Sequence, residues 1–149
     1  MSVAGITVVI ANFNRCADLR EALASVRRQD YPRVATVVVD NASTDGSQEM
    51  LAAEFPEVET VALDENRGMA GYSIGFERAE SELLFQMDND SLMPDPQVLS
   101  EVVRRFEQGP PELAAEVPLQ PIGELLNVGP RVVVCDGLTS PDSSDKNCE

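Results

Sequence analysis

The chain has 149 residues, 26 of them acidic and 11 basic, for a formal charge of −15. This length suits one domain, and a surface of this sign repels nucleic acid and anionic membranes. Histidine is absent, which excludes every histidine-based triad and histidine-ligated metal site and leaves carboxylates as the main groups for acid–base or metal chemistry.

The three cysteines, Cys16, Cys135 and Cys148, form no CxxC pair, so neither a disulfide framework nor a zinc site is expected. Cys16, near a helix start, reads as a small packing residue. The opening MSVAGITVVIANFN lacks the basic region and cleavage site of a signal peptide. No apolar run reaches the roughly 18 residues of a membrane span. A reducing, cytoplasmic compartment is the resulting expectation, with peripheral membrane association left open.

Ile6 to Ala11 is a continuous apolar run with β-branched residues, the mark of a strand buried on both faces. Asp18 with Glu21 reads as a capping box. Leu19, Ala22, Leu23 and Val26 then share one helical face, and the helix should end before Pro32. Val34 to Val39 is a second buried strand, running into the turn-forming loop DNASTDGS. A short helix is expected over Gln48 to Phe55, a third strand over Val58 to Leu63, and a glycine-containing helix from Gly71 to Ala79. Leu83 to Met87 is a fourth strand ending in Asp88-Asn89-Asp90. Asp95 and Pro96 read as the N-cap and first position of a helix stopped by Gly109-Pro110-Pro111. Leu113 to Val117 and Arg131 to Cys135 read as further strands. Residues 1–135 are therefore expected to form one α/β domain, and the serine-rich 136–149 a frayed polar tail.

Alternating strands and helices imply βαβ units and a mostly parallel sheet, with ligands at the carboxyl ends of the strands. The polar clusters ANFNR, DNASTDGS, DENRG and DND all follow strands and so fall on that edge. Asp88 and Asp90, one residue apart, suit a hard cation such as Mg²⁺ or Mn²⁺ shared with a diphosphate; a solvated acidic turn has the same spelling. Asp40-Asn41 could hydrogen-bond a base or ribose, but taken alone it reads first as an Asx turn, with Ser43 or Thr44 capping a helix. Asn66-Arg67-Gly68 brings a cation and a close backbone approach to a phosphate, or makes a plain turn. Asn12, Asn14 and Arg15 divide in the same way.

The order of these elements resembles family two glycosyltransferases, in particular their rhamnosyltransferase-like branch. ITVVIANFNR is similar to the family's first strand and asparagine turn, VVVDNASTDGS to its "VDNxSxDGS" element, and ENRGMAGYSIGFERA to its "NxGxAGGxNxGxxxA" stretch. LLFQMDNDSLMPDPQVL resembles the strand leading to "DNDxxxxPxxL", and VGPRVVVCDG a later "GPxxxxxDG" segment. The resemblance runs from about Ile6 to Gly137. It implies a Rossmann-like GT-A sandwich, a nucleoside-diphosphate-sugar donor, and inverting transfer to the hydroxyl of an acceptor saccharide or lipid-linked saccharide. Carried over by position, Ala11, Phe13 and Asn14 line the base pocket, and Asp40 and Asn41 meet base and ribose. Arg67 lies near the donor. Asp88 and Asp90 form the D-x-D element that holds Mn²⁺ or Mg²⁺, with Asp90 the stronger metal ligand.

Several residues depart from the family. Phe13 stands where a tyrosine is usual and Arg67 where an aliphatic residue is usual. Met69 and Tyr72-Ser73 interrupt a glycine- and asparagine-rich stretch, and PELAAEVPLQPIGELLN fits poorly. The resemblance also puts the general base, an Asp or Glu, in an acceptor half beyond residue 149. On this reading the chain is the donor-binding half of such an enzyme, with an uncovered apolar face that leaves oligomer formation open. A non-catalytic nucleotide-binding module is the alternative. A sugar-phosphate nucleotidyltransferase ranks below both, because ANFNRCADL after the first strand lacks the glycine-rich phosphate loop.

Overall fold

The computed structural model describes residues 4–109 and 131–135. Its elements are β1 (Ile6–Asn12), α1 (Cys16–Arg27), β2 (Val34–Asp40), α2 (Ser47–Glu54), β3 (Glu59–Ala62), α3 (Ala70–Arg78), β4 (Leu83–Asp88), α4 (Val98–Gln108) and β5 (Arg131–Cys135). The strands form one parallel sheet in the order β3-β2-β1-β4-β5. This is the α/β architecture expected from the sequence.

β1 lies between β2 and β4, with Ile10 level with Val38 on one side and Met87 on the other. Its side chains alternate between two cores, as a pleated strand requires. Ile6, Val8 and Ile10 join Leu19, Leu23, Met50, Leu51, Leu99 and Val103 of α1, α2 and α4 in the larger core. Val9 faces the other way, onto Tyr72 and Phe76 of α3. A strand with both faces covered has no polar face to show, and this is why Ile6 to Ala11 is apolar at every position but Thr7. Each fully buried leucine or isoleucine here contributes about 1.5–3 kcal/mol of transfer free energy.

The glycines of α3 serve close packing. A Cβ on Gly75 would stand 2.3 Å from Val9 Cγ1 and 3.3 Å from Val39 Cγ2, and one on Gly71 3.2 Å from Asn41 Nδ2. Their cost in helix propensity is offset by letting α3 sit directly on β1 and β2. β3 differs from the inner strands: it is short and mostly exposed, as suits the sheet's edge.

Two expected helix starts are displaced. Asp18 is not an N-cap; α1 begins at Cys16, and the Cys16 N–H donates to Asp45 Oδ2, 2.8 Å away in the loop after β2. The cap is supplied by a distant residue, which local spacing does not reveal. Asp95 accepts from the Gln97 N–H at 2.8 Å in a turn that precedes α4, so that helix starts at Val98 rather than Pro96. Cys16 is fully buried, as a packing residue should be, but it is also disulfide-bonded, which the cysteine count did not lead one to expect. The expected strand Leu113 to Val117 and the tail 136–149 lie outside the described residues.

Candidate functional site

The chain steps outward from β1 through β2 to β3, then returns to the far side of β1 for β4. Such a reversal opens a crevice at the carboxyl ends of the two strands that part there. Asn12 ends β1, Asp40 ends β2 and Asp88 ends β4, so the polar loops gather around this point.

Asn12 joins them. It is fully buried, and its Nδ2 donates to Asp40 Oδ1 at 3.0 Å and Ser47 Oγ at 3.0 Å, with a longer contact to Ser43 Oγ at 3.3 Å. Its Oδ1 accepts from Asn89 Nδ2 at 2.9 Å. One side chain thus links the loop after β2 to the turn that carries Asp88-Asn89-Asp90. Its position at the last residue of a central strand was the available signal, but Asn12 is read from sequence only as one of three ambiguous polar residues.

Asp40 is also fully buried. It accepts from Asn12, from the Ser43 N–H at 3.0 Å and hydroxyl at 2.6 Å, and from Gln48 Nε2 at 2.8 Å. Asn41 is buried as well, and its Oδ1 accepts from the Arg67 N–H at 3.0 Å. Both residues are thus turned onto protein groups in this geometry, and the Asx turn is present alongside any ligand role. Ala42, between this pair and Ser43, has φ 59°, a strained value for a residue with a side chain. Asn14 also has positive φ, at 48°. Its N–H donates to Ser43 Oγ, and its Oδ1 accepts from the Thr44 N–H at 2.7 Å. Phe13 is 44% exposed beside it and Met69 70% exposed at the start of α3; among the described residues these are the large apolar side chains open to solvent.

The end of β4 is different. Asp88 and Asp90 are both partly exposed. Tyr72 of α3, 4% exposed, donates its hydroxyl to Asp88 Oδ1 at 2.9 Å, with the Met87 carbonyl 3.2 Å away. Burial, and then the Asp88 carboxylate, push this phenol's pKa well above its ordinary value, so it stays a donor. Asp90 Oδ2 lies 3.9 Å from Arg15 Nη1, which is held more tightly by Asp18 at 2.9 Å. Ser91, next in the chain, has a buried hydroxyl with no hydrogen-bond partner in the described structure. Arg67 extends into solvent, 3.3 Å from Glu65. Ala11 packs beside the Tyr72–Phe76 cluster.

Among the described residues no three Asp, Glu, Cys or His side chains converge on a point, so a cation here would take most of its ligands from elsewhere. A cavity of about 640 Å³ opens at the opposite edge of the sheet, between Arg33, Glu59, Arg78 and Glu82. Its charges are mixed and it is remote from the switch point. Volume alone does not make it the site; the convergent polar groups at the carboxyl edge are the stronger indication.

The chain is thus a doubly wound parallel sheet with Asn12, Asp40 and Asp88 at the carboxyl ends of the strands around its switch point. Residues 7–130 match the model of glycosyl transferase family 2, and the chain belongs to that family. It is 30% identical over 106 residues to an uncharacterized glycosyltransferase of Nostoc sp., covering 68% of this chain and 33% of that protein. It is 29% identical over 116 residues to the succinoglycan biosynthesis protein ExoO of Rhizobium meliloti, covering 76% and 33%. Among solved structures it resembles the mannosyltransferase PcManGT of Pyrobaculum calidifontis in complex with GDP-Man and Mn²⁺. There the TM-score is 0.63 and identity 28%, over 71% of this chain and 33% of that one. The S. aureus TarS 1-349 structure shares the fold at TM-score 0.64 and 22% identity, over 69% and 32%. The chain spans about a third of the length of these curated relatives. No described helix is long and apolar enough to cross a membrane.

Proposed function

We propose that this chain is the donor-binding part of an inverting glycosyltransferase of the rhamnosyltransferase-like branch, holding a nucleoside-diphosphate sugar over the carboxyl ends of β1, β2 and β4. The observation that carries this reading is the bonded sequence Asn89–Asn12–Asp40, which ties the D-x-D turn to the loop after β2 at the switch point. Ala11, Phe13 and Asn14 then line the base, Phe13 by its exposed ring. Asp40 and Asn41 form the floor beneath base and ribose, and Arg67 reaches toward the phosphates.

Asp88 and Asp90 suit Mg²⁺ or Mn²⁺. The donor set is oxygen alone, with two part-exposed carboxylates and the free Ser91 hydroxyl nearby, which is hard-cation chemistry. Two carboxylates leave room for diphosphate oxygens and water. Asp88 and Asp90 would hold such a cation, and its charge would offset that of the diphosphate leaving group. The complex of a 28% identical mannosyltransferase with GDP-Man and Mn²⁺ supports the same reading. No described residue is assigned the role of general base, and the acceptor is a saccharide or lipid-linked saccharide.

The test is a titration of the purified 149-residue chain with UDP, dTDP and GDP, with and without Mn²⁺, followed by turnover with donor and acceptor panels. Binding of one nucleotide only with the cation is expected. Transfer should lie about a hundredfold or more below that of a chain with its base in place, leaving slow donor hydrolysis. No binding to any of the three overturns the reading, and robust transfer moves the general base inside the chain, with Glu124 and Asp136 the first residues to replace.

A further inference from the structure

Tyr72 interrupts a stretch that the family fills with glycine and asparagine, and α3 gives it a fixed seat. Gly71 and Gly75 let the helix lie close against Val39 and Val9. The Tyr72 ring stacks on Phe76, with centroids 6.3 Å apart and planes at 27°. The position of its hydroxyl is therefore set by helix packing rather than by a loop. A buried tyrosine hydroxyl needs one partner, and the Met87 carbonyl at 3.2 Å would satisfy it. The hydroxyl instead makes its shorter contact with Asp88 Oδ1, at 2.9 Å, an acceptor whose charge strengthens the bond. Asp88 Oδ2 makes no hydrogen bond to any described residue.

We propose that Tyr72 is a positioning residue for the D-x-D element: it clamps one oxygen of Asp88 and leaves the other to the cation or the donor. The inference rests on the reading of Asp88 and Asp90 as the cation–diphosphate site. Hydrogen-bond partners behind a ligating carboxylate are typically worth 10- to 100-fold in metal affinity, because they fix the carboxylate before the cation arrives.

Tyr72→Phe removes the hydroxyl and keeps the stacked ring. In the full chain, Mn²⁺ affinity, measured by water-proton relaxation, should fall about 10- to 100-fold, with the melting temperature within a few degrees of the parent. A second measurement needs no variant at Tyr72. In Tyr31→Phe protein, Tyr72 is the remaining tyrosine, and Mn²⁺ should shift its near-ultraviolet absorption. Affinity within twofold of the parent in Tyr72→Phe, or no spectral shift in Tyr31→Phe, overturns the clamp and leaves the cation site standing. Failure of the parent chain to bind Mn²⁺ at all overturns both.

Discussion

Asp40 and Asp90 follow strands on opposite sides of β1, and in the sequence both read as carboxylates aimed at a ligand. The structure separates them. Asp40 is wholly buried and takes hydrogen bonds from four donors, whereas Asp90 is one-third exposed with a single cation 3.9 Å away. A saturated carboxylate builds a site, and an unsaturated one is left to react with what enters it. The loop after β2 therefore serves as the frame and the turn after β4 as the working end, with Asn12 as the joint between them.

The contrast can be broken most directly at the frame. Asp40→Ala removes the acceptor of four hydrogen bonds, one of them from the fully buried Asn12 and three from half-buried Ser43 and Gln48, and it should cost about 3 kcal/mol or more, lowering the melting temperature by roughly 10 °C. Thermal unfolding followed by circular dichroism checks this; a shift under about 2 °C would mean that the frame holds without its carboxylate. Gly75→Ala comes next. Its Cβ would meet Val9 Cγ1 at 2.3 Å, and overpacking of this kind costs about 1–3 kcal/mol, read from the denaturant midpoint. The smallest effect is a gain. Ala42 holds φ 59° within the frame, so Ala42→Gly should stabilise the chain by up to about 1 kcal/mol. A loss on that substitution would place the strain elsewhere.

Much of this arrangement was legible in the sequence, for identifiable reasons. The strands were readable because buried parallel strands spell continuous apolar runs, and the loops because Asn, Asp, Gly and Ser cluster between them. The edge on which the loops gather followed from βα alternation alone. What resisted reading were interactions between distant residues. Asp45 capping α1 across 29 positions, Asn12 bonding to residues 28 and 77 positions away, and Tyr72 reaching Asp88 have no local pattern. The glycines of α3 read as a weakness in a helix because the strand side chains they press against are remote in the chain. Asp40 and Asp90 look alike on the page because burial is a property of the fold, not of the triplet.

The division between frame and working end stands or falls on Asp90→Asn. This change keeps the side chain's shape and removes its charge at a part-exposed position with no close partner. The melting temperature should therefore stay within about 2 °C, since substitutions at such sites cost under about 0.5 kcal/mol. In the same preparation, calorimetry with a nucleoside diphosphate and Mn²⁺ should show affinity reduced at least about tenfold, the lower range for disturbing a metal site. Unchanged affinity in a folded Asp90→Asn protein would contradict the account.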